Sequence, residues 1–230
     1  MRTFGLLAWL MVPVLAGAYH YGPGHEKLQL DDVSRLLADA DRLTSEQQWS
    51  QASSRYESAL ALLPAGRVDE VRRIRLQRAK VQMLDRQLPE ASVELNDLVS
   101  QLEDDKSADP KLRDDAMNTL AVSQYYMTWL MRLEGLSEDE WGPEIENARQ
   151  THRLLAEKAE AAGDQTTAKQ QREDLESAIR LARLDVDELQ GLDIPKQCQG
   201  CKSGQCKGKK PGKKPGKGQP KEPKDGRGAG

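Results

Sequence analysis

The chain has 230 residues and a formal net charge of −3, with 37% hydrophobic and 4% aromatic residues and a single Phe. That composition excludes a large membrane protein and a collagen-like chain. The near-neutral total hides a division. From Lys196 onward there are eleven Lys/Arg and two Asp/Glu, a balance of +9, which leaves residues 1–195 with 23 basic and 35 acidic side chains, a balance of −12. An acidic body is joined to a basic tail.

Residues 1–18 read as a secretory signal peptide: Arg2 is a short positive region, Phe4 to Leu15 is apolar, and Ala16-Gly17-Ala18 is a small-x-small cleavage site. The alternative is an uncleaved membrane anchor. Against it, the uncharged run is about 15 residues, is interrupted by Pro13, and falls short of the roughly 20 residues needed to span a bilayer. The protein is therefore expected to be exported, periplasmic or secreted, and to touch a membrane only if this segment is retained. Residues 19–30 read as a linker.

Residues 31–190 are rich in Leu, Ala, Glu, Gln and Arg, with apolar residues at three- and four-residue spacing and no sustained alternation. This predicts an all-α domain large enough to bury one core. Val33, Leu36, Leu37, Ala40 and Leu43 mark a first amphipathic face. After a polar turn at Thr44 to Gln47, Trp49, Ala52, Tyr56, Ala59 and Leu60 mark a second, closed by Pro64. Val71–Leu84 and Leu88–Leu102 form a second hairpin candidate. A further helix starts at Asp109-Pro110 and carries Leu112, Ala116, Met117, Leu120, Ala121, Tyr125, Trp129 and Leu130. A long connection is expected from Gly135 to Pro143. Then come a helix with Ala148, His152 and Leu155, a turn at Gly163, and a closing helix with Leu175, Ile179, Ala182 and Leu189.

Read as one 34-residue window, Val33 to Gly66 resembles a tetratricopeptide repeat (TPR). Leu36, Ala40, Leu43, Trp49, Ala52, Tyr56, Ala59 and Pro64 match that pattern in order and spacing, and Gln47 stands where the family often has Gly. Downstream units match more loosely. The resemblance, to TPR proteins of the exported bacterial type, implies antiparallel helical hairpins stacked as a short solenoid over 31–190, a plain helical bundle being the alternative. It also implies a non-enzymatic scaffold or adaptor that binds protein partners on its inner surface. Carried over residue by residue, the inward positions are Leu37 and Asp41, then Leu76, Lys80 and Met83, then Asn118, Val122, Tyr125 and Tyr126. Of these, Lys80, Met83, Asn118, Tyr125 and Tyr126 are the expected partner contacts, one of the two tyrosines being needed for the core.

No catalytic constellation is visible. His20 and His25 lie just after the signal segment, and His152 falls at a core position of a helix. The paired carboxylates Asp31-Asp32, Asp104-Asp105 and Asp114-Asp115 suit helix starts. An enzyme is not expected, nor a resident cofactor. Residues 191–230 read as a disordered Cys/Lys/Gly/Pro-rich tail, because Lys, Gly and Pro cannot offset the entropy of ordering. Its Cys198, Cys201 and Cys206 form C-x₂-C-x₄-C. Three readings stay open: a disulfide within or between chains, a zinc site short of a fourth ligand, or no defined role. The zinc or redox reading makes the tail itself the functional element, an alternative to the scaffold. The lysines favour an anionic surface or partner. Nucleic acid is disfavoured because no aromatic residue in the tail could stack on a base.

Overall fold

The computed structural model describes residues 11–13, 17 and 23–204. The signal segment lies outside these residues at all but four positions. The Lys/Gly/Pro-rich run with Cys206 lies outside them entirely. The described chain is all-helical: α1 Pro23–Ser45, α2 Trp49–Leu62, α3 Val68–Leu84, α4 Leu88–Asp104, α5 Pro110–Leu133, α6 Glu138–Ala161, α7 Gln165–Arg183 and the short α8 Val186–Gln190, followed by a 3₁₀ turn at Lys196–Cys198. Each helix from α1 to α7 packs on the next, and α3 also meets α5. This is the serial packing of a helical solenoid.

Two boundaries differ from the sequence reading. The linker expected over 19–30 is largely helix, since α1 starts at Pro23, with proline at the first helical position and Glu26 in the first turn. The connection expected from Gly135 to Pro143 is much shorter. Ser137 and Glu140 form a capping box, the Ser137 amide donating to the Glu140 carboxylate at 2.8 Å, and Pro143 lies inside α6.

One turn geometry recurs. Gln47, Arg86, Gly135 and Gly163 adopt left-handed φ of 59°, 61°, 77° and 76°. The next residue's N–H then returns to a carbonyl five back: Gln48 to Leu43 (2.9 Å), Gln87 to Gln82 (3.0 Å), Leu136 to Met131 (3.0 Å) and Asp164 to Ala159 (2.9 Å). This closure satisfies carbonyls that a helix end would otherwise leave unpaired. At three of these turns alanines stand seven residues before and five after: Ala40 and Ala52, Ala79 and Ala91, Ala156 and Ala168, all buried. With no side chain beyond Cβ, they let the paired helices approach closely. At Gly135 those positions are Thr128 and Glu140, and one more residue precedes α6.

The interior has two parts. Ala40, Leu43, Ala52, Tyr56, Ile74 and Val81 join α1, α2 and α3. A larger cluster runs from Leu76 and Leu88 through Leu112 and Trp129 to Leu181, Leu189 and Cys198. Polar ties lock neighbouring helices. The Tyr56 hydroxyl donates to Asp41 at 2.6 Å, and Arg75 meets Glu94 at 2.5 Å and Asp97 at 2.6 Å. Buried Arg72 reaches Asp105 at 2.7 Å.

Beyond α7 the chain turns back. Asp185 caps α8, accepting from the Glu188 amide at 2.7 Å, and Leu189 is buried. Leu192 and Ile194 stay exposed, and the 3₁₀ turn at Lys196–Cys198 then lies against α5 and α3. The tail expected from residue 191 therefore separates from the body later than its composition suggested, because Cys198 and Ser203 both find places in the folded body.

Two predictions follow from these contacts. Gln47→Gly should raise unfolding stability by about 0.5–1 kcal/mol, the left-handed strain less the added chain entropy of glycine, read as a denaturant-midpoint shift. The Ser107 hydroxyl, then the Arg72 guanidinium, hold the Asp105 carboxyl down at about 2, from an ordinary 3.8. A carboxyl depressed in the folded state stabilises above its unfolded pKa and loses that contribution as pH falls through the folded one. Stability should therefore drop between about pH 4 and pH 2, and less steeply in Asp105→Asn, as acid titration followed by circular dichroism would show.

Candidate functional site

The residues expected on the inner surface divide by fate. Met83 and Leu76 are buried in the core and offer nothing to a partner, a correction for Met83. A helix face wide enough to line a groove must also bury one edge against its neighbours, and Met83 falls on that edge. Asp41 accepts the Tyr56 hydroxyl. Lys80 donates from Nζ to both carboxylate oxygens of Asp115, each at 2.8 Å, linking α3 to α5.

Half-buried Asn118 ends a chain of polar groups between α5, α7 and α6, whose other members, Gln171 and His152, are buried. Gln171 Nε2 donates to Asn118 Oδ1 at 2.9 Å, and Gln171 Oε1 meets His152 Nδ1 at 2.8 Å. His152 is 2% exposed, in keeping with the core place read for it. Since the Gln171 amide nitrogen is used on Asn118, its oxygen accepts, and His152 Nδ1 carries the proton.

Tyr125 and Tyr126 are both half-buried. Their rings meet edge to face, with centroids 5.2 Å apart and planes at 74°. With Val122 they form one wall of a pocket of about 230 Å³, completed by His152 of α6 and by Asp174 and Ser177 of α7. Of the residues expected to contact a partner, this is where two come together on an open surface. Burial pushes the Tyr126 phenol above its ordinary value, helped by Tyr125, Cys198 and Asp174 nearby. The sequence indicated the tyrosine pair but not Asp174 or Ser177. These sit on α7, whose register against α5 no local pattern reveals.

The cysteine segment lies beside this patch. Cys198 is 3% exposed, and its thiol donates to the Tyr126 carbonyl at 3.5 Å. The Cys201 thiol donates to the Gln197 carbonyl at 3.3 Å. Ser203 is held by Glu134, its amide at 2.8 Å and its hydroxyl at 2.5 Å from the carboxylate. Gly200, at φ 75°, passes under Arg86, whose Cδ would lie 3.1 Å from a Cβ placed there. Both described cysteines are free thiols. Burial, with Cys201 adding to it, pushes Cys198 up to about 12, and burial raises Cys201 as well. Metal binding and nucleophilic exchange both require the thiolate, which this setting opposes. Among the described residues no group of three or more His, Cys, Asp or Glu is placed to hold a metal ion, and Cys206 lies outside them. A second, wider depression of about 610 Å³ forms where this segment meets the turns, lined by Gln47, Trp49, Arg86, Lys196 and Gln199 among others.

At pH 8, Cys198 should alkylate more than about a hundredfold slower than an unperturbed thiol, because little of it is thiolate. Peptide mapping of iodoacetamide-treated native protein reads this directly, and fast labelling of Cys198 would show that the segment leaves the body. Comparison of the chain with protein-family models, with curated proteins and with solved structures finds no match.

Proposed function

We propose that this protein is a non-enzymatic scaffold of the tetratricopeptide type, exported from the cell, that holds a segment of a protein partner on the face formed by α5 and α7. The observation that carries the reading is the pocket of Val122, Tyr125, Tyr126, His152, Asp174 and Ser177. Half-buried tyrosines offer large contact area at small entropic cost, and such residues dominate protein interfaces. The Asn118–Gln171–His152 chain behind them holds α5, α6 and α7 in register, so the surface is formed before a partner arrives. The TPR-like first hairpin supports the type of scaffold, and the signal-like residues 1–18 support export.

The test uses a photoreactive amino acid at Val122 in the full-length chain, expressed in its native host. Partner adducts should form there and fall about tenfold in Tyr125→Ser/Tyr126→Ser, the effect of losing one interface anchor, while the circular dichroism spectrum is retained. Adducts undiminished in that variant would remove the groove assignment.

A further inference from the structure

Apart from the tyrosine hydroxyls, which both donate and accept, the polar groups of the α5–α7 pocket share one character. His152 Nδ1 meets Gln171 Oε1, and in the neutral ring with Nδ1 donating the remaining nitrogen is an acceptor. The Ser177 hydroxyl donates to the Glu173 carbonyl at 2.9 Å and leaves its oxygen lone pairs. Asp174 is an acceptor that carries charge. Its one hydrogen bond among the described residues comes from the Gln170 amide, at 3.1 Å, and no basic side chain among them pairs with it. Three acceptors, one negative charge and two tyrosine rings thus surround a space of about 230 Å³. A primary ammonium on an alkyl arm has the complementary chemistry: three donors, no acceptor, a positive charge, and methylenes that pack along aromatic rings. The space is of a size for one such arm.

The chain carries this group close by. Ser203 is fixed at Glu134, eight residues along α5 from Tyr126, a distance of about 12 Å at helical rise. The residues beyond Gly204 place Lys207 three and Lys210 six positions on, a reach of up to about 10 and 20 Å. Pro211-Gly212 and Pro215-Gly216 follow, dipeptides suited to turning a chain back. A tethered segment also meets its site at an effective concentration in the millimolar range. We propose that the pocket receives a lysine ammonium and that its occupant is this chain's own tail, one of the lysines from Lys207 to Lys217. The inference concerns the same tyrosine patch as the proposed function, but it stands whether or not a foreign partner exists.

Zero-length carbodiimide coupling of the full-length protein alone, followed by peptide mapping, tests this. An amide should form between Asp174 and a lysine within 207–217 in one chain. It should fall severalfold at about 0.5 M salt, where exposed charges are screened, and vanish both in Asp174→Asn and when those lysines are changed to Gln. The Lys80–Asp115 pair serves as the internal control, and its coupling should persist in every variant. The proposal is overturned if Asp174 couples no more than the exposed Asp187 or Glu188, or if its amide joins two chains. No partner is present in the assay, so such a result leaves the groove reading standing.

Discussion

Arg132 sits near the end of α5 with its guanidinium in the interior. It donates to the carbonyls of Leu181 and Leu184 at the close of α7, and it lies 4.8 Å from the centre of the Trp141 ring on α6. Those carbonyls belong to a helix end and have no partner within the helix. A cation is also the favoured charge at a helix C-terminus. One side chain therefore ties three helices together and sets the place where α7 stops. Burial lowers its affinity for its proton, yet a guanidinium stays charged in proteins. Leaving the two carbonyls buried and unpaired would cost about 1–3 kcal/mol each.

Much else follows from that junction. With α7 ended against α5, Asp185 can start α8, Leu189 can enter the core, and the chain is directed back over α5. Cys198 then closes the interior beside Tyr126, and Glu134 holds Ser203. The same register places Asp174 and Ser177 opposite Tyr125 and Tyr126 and brings Gln171 between Asn118 and His152. The clamp at one end of α5 and the pocket in its middle are thus two results of a single alignment of α5 with α7.

The acidic body and basic tail gain a physical relation through this geometry. The net negative charge is spread over helices, and some of their carboxylates pair with arginines and lysines, as Glu94, Asp105 and Asp115 do. Asp174 is one that has no basic partner among the described residues, and it lines the pocket on α5, the helix at whose end Glu134 holds Ser203. The cysteines, which in a sequence suggest metal or redox chemistry, take a packing role where they are described. Cys198 behaves as a small apolar residue with a weak donor, the usual fate of a buried free thiol.

By itself the sequence determined the all-helical fold and the first hairpin. These rest on short-range physics: apolar spacing, Asp109-Pro110 as a helix start, and small residues set among large ones on the paired faces. It also pointed to Tyr125 and Tyr126 as partner contacts, with one of the two expected in the core, and to His152 as a core residue; both tyrosines are in fact half-buried. It could not show that Met83 is buried, that α6 begins at Glu138 with Pro143 inside it, or that the chain returns to the body at Cys198 and Ser203. Nor could it select Asp174 from among the many carboxylates. Those outcomes depend on which face of one helix meets which face of another 40 or more residues away. That register is decided by packing volume and by the pairing of buried polar groups, and neither leaves a periodic trace in the chain.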